Sequence, residues 1–348
     1  MAINIKTVAV TGKQQTEIID LTTPDLHQGE VLVKVHAVAL CTLEQRIFKG
    51  EVKMPLPCTG GHEVAGEIAA MGPGVNVKNW ALGDRVAVRL LYSCGECYYC
   101  RTGHTNMCER AQKKPTREGL LVGPGGLCDY VIVDASSLFK IADTLTYEEA
   151  ALTEPLACVV HSVEHANIQL GEDVVVIGGG IMGQYHVMVA KRKGARVILS
   201  EVDPKRAELA KQLGADIVFN PTEVDPVEFV KSVTDGRGAD VVFNTTAIPA
   251  VVGQAVGMTG KAGRMIQYSS MHPDAPTPVS PQMLHGTEAI LTGSISPNPK
   301  DFFTANRLLN AGVIDCKPMI AETFPFEEAQ KAFEAAIVPG TFRVIITN

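Results

Sequence analysis

The run Val174-Val-Val-Ile177, followed at once by Gly178-Gly-Gly180-Ile-Met-Gly183, constrains this chain more than any other stretch. Consecutive apolar, β-branched residues suit a strand buried on both faces, the setting of a parallel sheet. The glycines behind it fit G-x-G-x-x-G and open a helical segment. In that context the loop allows a tight turn and close backbone approach to a pyrophosphate, which then faces the helix N-terminus. Arg196-Val-Ile-Leu199 reads as the next strand, and Glu201 closes it, 18 residues after Gly183. A carboxylate there can bind the ribose 2′ and 3′ hydroxyls and would repel a 2′-phosphate, so NAD is favoured over NADP. Gly178, Gly180, Ile181, Met182, Gly183 and Glu201 are the expected cofactor-binding residues. Arg206 pulls slightly the other way, because an arginine nearby can accept a phosphate, but a solvated helix arginine is the blander and preferred reading.

The same texture continues downstream. Lys205 to Leu213 has a helical pattern, and Ile217-Val-Phe219, Val241-Val-Phe243, Met265-Ile-Gln267 and Ile290-Leu-Thr292 supply further strands. Strands alternating with helices give a doubly wound α/β fold. Residues 1–150 differ: Val31 to Ala39 and Arg85 to Arg89 read as strands, with Gly72-Pro-Gly74 and Gly123-Pro-Gly-Gly126 as turns. Thr146-Tyr-Glu-Glu149 has the form of a capping box ahead of an apolar helix. A helix over Phe326 to Ala335 and a strand over Arg343 to Ile346 finish the chain. At 348 residues, the expectation is about two domains rather than one undivided core.

Cys94-x2-Cys97-x2-Cys100-x7-Cys108 is the second strong pattern. Four thiolates at this spacing can close a tetrahedral zinc site with no open position, hence a structural one. Metal binding would stiffen a loop with little core of its own. The ferredoxin run differs, with C-x3-C before a proline; here the last gap is longer and Glu109 follows. Disulfides are disfavoured in an intracellular chain long enough to build its own core.

A third constellation is more diffuse. Cys41 follows the strand 31–40, Gly61-His62-Glu63-x2-Gly66 comes later, and Glu154-Pro155 lies where the texture changes. Cysteine, histidine and glutamate together suit zinc with a position left for water or substrate. Spacing alone does not choose between that site and a small buried cysteine beside an ordinary hydrogen-bonded histidine. Cys58, Cys128, Cys158 and Cys316 read as buried small residues, and His161, His165 and His186 as packing or surface histidines.

Composition narrows the partners. The net charge is −7, from 31 basic and 38 acidic residues, and there is no basic tract, so nucleic acid is a poor partner. No stretch approaches a membrane span, and Met1 to Gln15 lacks a signal-peptide core. The expectation is a soluble, cytoplasmic protein.

Taken in order, these residues resemble the zinc-dependent medium-chain dehydrogenases, and within them the sorbitol (polyol) and threonine dehydrogenase branch. The resemblance covers nearly the whole chain. It rests on Gly61-His-Glu-Val-Ala-Gly66 with Gly72 and Val75, on the cysteine spacing 94–108, on Gly178 to Gly183, and on Glu154-Pro-Leu-Ala157, which is typical of the polyol branch.

The resemblance implies a GroES-like β-rich catalytic domain over 1–151 and 296–348, carrying the structural zinc lobe 92–110, and a Rossmann NAD-binding domain over 152–295. It implies that Cys41 and His62 hold a catalytic zinc, with Glu63 and Glu154 as alternative further ligands. Glu44 would hold His62 through a hydrogen bond. Thr245, Thr246, Ser294 and Ile295 fall where the family's backbone meets the cofactor. The family's proton-relay hydroxyl is replaced by Leu43, leaving Thr42 as its neighbour, and Arg46 stands where histidine or tyrosine is common. Arg46 is a candidate for recognising an anionic or polyhydroxylated substrate.

The expected function is oxidation of a secondary alcohol of a polyol, sugar or inositol-like molecule to a ketone, with zinc and NAD, in a homodimer or homotetramer. A threonine-type amino-alcohol dehydrogenase is the second reading. A non-catalytic, crystallin-like cofactor-binding protein is the third, and the presence of Cys41, His62, Glu63 and Glu154 counts against it.

Overall fold

A computed structural model describes residues 3–111 and 116–348. In chain order the first strands are β1 (Asn4–Gly12), β2 (Gln15–Thr22), β3 (Glu30–Ala39), β4 (Glu63–Met71), β5 (Arg85–Arg89), β6 (Tyr130–Asp134) and β7 (Leu138–Lys140). Next come β8 (Asp173–Ile177), β9 (Arg196–Ser200), β10 (Ile217–Phe219), β11 (Ala239–Asn244), β12 (Thr259–Gln267) and β13 (Ile290–Gly293). β14 (Ile320–Pro325) and β15 (Arg343–Thr347) end the chain. The helices that matter below are α1 (Thr42–Phe48), α2 (Tyr98–Arg101), α3 (Tyr147–Ala151), α4 (Thr153–Ala166), α5 (Ile181–Arg192) and α6 (Pro204–Leu213).

The chain forms two compact units, one of Met1–Ala157 with Pro297–Asn348, the other of Cys158–Ser296. In the first, β14-β15-β3-β4-β5-β7 form a sheet in that order, with β6 also paired to β3, and β1 and β2 make a separate antiparallel pair. Its core gathers Val33, Phe48, Ile68, Val86 and Phe333, all buried; the Phe48 and Phe333 rings lie 5.0 Å apart. The C-terminal strand β15 enters this sheet beside β3, pairing Ile345 with Ala39. That register carries residues from the end of the chain to the site described below.

In the second unit six parallel strands run β10-β9-β8-β11-β12-β13. Numbered within the unit this is the order 3-2-1-4-5-6 of a doubly wound dinucleotide fold, whose ligand crevice opens where the order reverses. Here the reversal lies between β8 and β11, so the loops after Ile177 and Asn244 flank it. Val175, Ile198, Val242 and Met265 fill the core, covered by Val230 and Ala255.

Local signals set the element ends. Thr146 and Glu149 form the expected reciprocal cap: Glu149 N donates to Thr146 Oγ1 at 3.2 Å, and Thr146 N donates to Glu149 Oε2 at 2.8 Å. Asp203 caps α6 by accepting from the N–H groups of Lys205 (2.8 Å) and Arg206 (3.0 Å). The helix expected over Phe326 to Ala335 begins instead as a 3-10 turn, Phe326–Glu328, and is α-helical only over Ala329–Ala336. Among the described residues no helix is long and apolar enough to cross a membrane.

Candidate active site and metal centres

Cys41 is the N-cap of α1, and Glu44 lies one turn in, fully buried. The Glu44 carboxylate collects three N–H groups around it: Cys41 N at 3.1 Å, Gly61 N at 3.0 Å and His62 Nδ1 at 3.0 Å. One side chain thus ties the helix to the loop before β4 and fixes the His62 ring. With Nδ1 engaged, Nε2 is left to face a ligand, the usual arrangement for a metal-binding histidine. Burial would raise the Glu44 pKa, but the charge of His62 and the surrounding hydrogen bonds outweigh it and hold the carboxyl below its ordinary range. Burial acts against a charged His62 as well, yet Glu44 and the Cys41 side chain raise its pKa well above normal.

Glu63 follows on β4 and is fully buried. Its partner comes from β15. Arg343 Nε donates to Oε2 at 2.8 Å and Nη2 to Oε1 at 2.6 Å, a two-pronged fork on one carboxylate. Burial raises the Glu63 pKa and Arg343 opposes it, while the charge of Glu154 adds to the rise. The ligand atoms of Cys41, His62 and Glu63 lie within 4.8 Å of one another. Glu154, buried in the first turn of α4, stands outside that set. Its charge still acts on Glu63, Arg89 and Arg343. A thiolate, an imidazole and a carboxylate converging in this way fit Zn²⁺.

Thr42 and Leu43 are exposed on α1. Arg46, two residues after Glu44, places its Nε 3.8 Å from Glu51 Oε2, and Lys49 reaches the same carboxylate at 2.7 Å.

The four lobe cysteines also bring their sulfurs within 4.8 Å of one another. Backbone N–H groups point at the sulfurs, as thiolate ligands require: Cys94 N to Cys108 Sγ at 3.3 Å, Cys97 N to Cys94 Sγ at 3.4 Å, and Arg110 N to Cys108 Sγ at 3.4 Å. The N–H groups of Cys100 and Glu109 draw the Cys97 thiol down to about 6. All nine cysteines are free thiols, so no disulfide competes for them. Cys58, Cys128 and Cys316 are buried as expected, whereas Cys158 is only half-buried.

The glycine loop has the expected build. Gly178 adopts φ 95°, and a Cβ on Gly183 would run into the Gly178 carbonyl. Gly180 caps α5, and a Cβ there would meet nothing within 4 Å. That open space before a helix N-terminus is where a pyrophosphate fits. Glu201, buried just past β9, accepts from Gly179 N and, through Oε1, from Val202 N at 2.8 Å and Asp203 N at 2.7 Å. Arg206 lies on α6, with its carbonyl accepting from Gln184 Nε2 at 2.9 Å. Thr245 braces the loop, its Oγ1 donating to the carbonyls of Ile177 (2.8 Å) and Gly178 (3.1 Å). Thr246 turns back to Asn244 Oδ1 at 2.8 Å. Ser294 keeps a buried hydroxyl without a hydrogen-bond partner among the described residues, and Ile295 is 61% exposed.

Two arginines at the metal cluster, Arg343 and Arg89, escape the sequence reading. Both reach it only through sheet register, and no local motif marks them.

With this geometry in view, comparison with known proteins is informative. The chain matches the alcohol dehydrogenase GroES-like domain over residues 27–143 and the zinc-binding dehydrogenase domain over 182–311. It is 32% identical to D-arabitol-phosphate dehydrogenase of Enterococcus avium over 97% of this chain and 95% of that one. It is 30% identical to sorbitol dehydrogenase of Bacillus subtilis over 96% of this chain and 94% of that one. L-threonine 3-dehydrogenase of Pyrococcus horikoshii is 32% identical over 94% of both. Among solved structures, a putative zinc-binding dehydrogenase of Sinorhizobium meliloti bound to NADP superposes with a TM-score of 0.89 at 27% identity, covering 99% of this chain and 100% of that one. An Escherichia coli alcohol dehydrogenase complexed with NADH gives 0.88 at 27%, covering 99% of both. The chain belongs to the zinc-dependent medium-chain dehydrogenases, in the branch that holds the sorbitol and threonine enzymes. It is an oxidoreductase of CH–OH groups.

Proposed function

We propose that this enzyme oxidises a secondary hydroxyl of a polyol, sugar or inositol-like substrate to a ketone, using NAD in preference to NADP. The convergence of Cys41, His62 and Glu63 within 4.8 Å carries the proposal. The named substrates of its relatives, sorbitol and D-arabitol phosphate, support the polyol class. The placement of Glu201 beside Gly179 supports NAD, because a 2′-phosphate would meet its carboxylate.

In this reading Cys41 and His62 hold the catalytic zinc. Bound there, zinc supplies Lewis acidity that eases ionisation of a hydroxyl. Glu44 keeps the His62 ring in its ligating tautomer. Glu63, whose two oxygens are held by Arg343, and Glu154 are the alternative further ligands that exchange with water. Leu43 offers no hydroxyl for a relay, which leaves Glu154, a substrate hydroxyl or water for that task. Cys94, Cys97, Cys100 and Cys108 hold a structural zinc. Gly178, Gly180, Ile181, Met182 and Gly183 receive the pyrophosphate, Glu201 the ribose, and the segments Thr245–Thr246 and Ser294–Ile295 border the dinucleotide. Hydride transfer itself is the nicotinamide's chemistry.

The protein is proposed to work in the cytoplasm as a homodimer or homotetramer. The outer edge of β13, which among the described residues pairs only with β12 and leaves Ile290 55% exposed, is the surface to examine for a second copy.

Initial rates with NAD and NADP against polyols, aldoses, inositols and threonine test the proposal. Turnover of a polyol or sugar with NAD supports it. Turnover of threonine alone installs the amino-alcohol reading, which the 32% identity to a threonine dehydrogenase keeps in play. Silence towards the whole panel with zinc in place defeats both.

A further inference from the structure

Arg89 ends β5, and its direct cross-strand partner is Glu63. Opposed residues of an antiparallel pair project to the same face of the sheet, so Arg89 shares a face with the metal cluster. It is only 8% exposed. Its natural counter-ion would be Glu63, but Arg343 occupies both oxygens of that carboxylate. Arg89 Nε is buried without a hydrogen-bond partner, and among the described residues none of its nitrogens makes an ion pair. Burial presses against its charge, and only the more distant charge of Glu154 favours it.

A buried guanidinium with no partner in contact is costly to keep, unless an anion that comes and goes completes it. Resting on the polyol reading above, we propose that Arg89 is a specificity-determining residue. Its guanidinium receives a carboxylate or phosphate carried by the substrate, so the preferred substrate is an anionic polyol. The guanidinium fork matches either oxyanion with two parallel hydrogen bonds. Arg46, the arginine singled out by the sequence, already has a carboxylate at 3.8 Å, that of Glu51, whereas among the described residues Arg89 has none in ion-pair contact and only the charge of Glu154 acting on it.

The test compares kcat/KM of the zinc-loaded enzyme for sorbitol, sorbitol 6-phosphate and gluconate, in wild type, Arg89→Met, Arg89→Lys and Arg46→Ala. Wild type is expected to prefer at least one anion over sorbitol. Arg89→Met is expected to reduce that preference roughly 10- to 100-fold, chiefly through KM, the span of a charge-assisted bidentate contact. Arg89→Lys is expected to restore part of it, since the charge returns without the fork. Which anion responds distinguishes an aldonate from a phosphate ester.

A wild type indifferent to charge overturns the inference and leaves the polyol reading standing. So does an anion preference that survives Arg89→Met, or one that Arg46→Ala alone removes. If Arg89→Met instead lowers zinc content and depresses all three substrates alike, Arg89 is a counter-charge for Glu154 and not a substrate contact. Should Arg89→Met fail to fold, the wild-type preference and its reduction in Arg89→Lys decide. If wild type turns over none of the three, the polyol reading falls. The inference is then judged by thermal unfolding with the same ligands, and it falls too unless an anion stabilises wild type more than Arg89→Lys.

Discussion

Arg343 and Glu63 meet as fork and carboxylate with almost no water around either. Removing one partner strands the other as a buried charge, which typically costs about 3–5 kcal/mol. Arg343→Met should therefore lower the unfolding free energy by about that amount in urea titrations. The double variant Arg343→Met/Glu63→Gln should recover part of the loss, because no lone charge remains. A loss below ~1 kcal/mol in the single variant would mean that water reaches the carboxylate. Glu44 presents a different case. It joins Cys41, Gly61 and His62 through one carboxylate, so Glu44→Ala frees the His62 ring to turn. Zinc affinity, measured by competition with a chelator, should fall roughly 10- to 100-fold. Glu201→Ala removes the carboxylate that would repel a 2′-phosphate, and the ratio of NAD to NADP affinity should drop towards unity. An unchanged ratio would remove Glu201 from the ribose site.

At the scale of elements, the cysteine lobe is almost all loop around the short helix α2. Its sulfurs come together while Tyr98 and Tyr99 remain exposed, so little apolar burial holds it. Cys97→Ser should lower the zinc content by about one equivalent per chain and open the lobe to proteases. Persistence of both would mean that the loop holds itself. The convergence of these sulfurs was legible in the sequence because the four cysteines sit on one short segment. The glycine loop and Glu201 were legible for the same reason, and so was the Thr146–Glu149 cap. Arg343 was not, because its link to Glu63 spans 280 residues and exists only through the β15-β3-β4 register. Arg89 ends a strand in the sequence pattern, and nothing in Arg85-Val-Ala-Val-Arg89 says that its neighbour across the ladder is a carboxylate already taken. The 3-10 start at Phe326 likewise lies below what periodicity resolves. The sequence thus reports chemistry that is local in the chain, and pairings made by strand register need the fold.

The whole molecule divides its chemistry between two cores. Both candidate zinc clusters lie in the unit of Met1–Ala157 with Pro297–Asn348, while the glycine loop, Glu201 and Thr245 lie in Cys158–Ser296. The dinucleotide loop is braced by its own unit: Thr245 holds Gly178, Gln184 joins Gly179 to α6, and Glu201 holds Gly179. None of these bonds passes through a metal cluster. A zinc held by Cys94, Cys97, Cys100 and Cys108 would supply folding energy to its lobe, and one held by Cys41, His62 and Glu63 would join α1 to the start of β4, so both losses would fall on one core. Stripping zinc with a strong chelator should therefore abolish turnover and destabilise the first unit, splitting or broadening the calorimetric transition. NAD binding, followed by titration calorimetry on the same stripped protein, should stay within about threefold of the loaded enzyme, a change well under 1 kcal/mol. Loss of NAD binding together with the metal would show that the dinucleotide site depends on the metal-bearing core, and the independence argued from these bonds would fail.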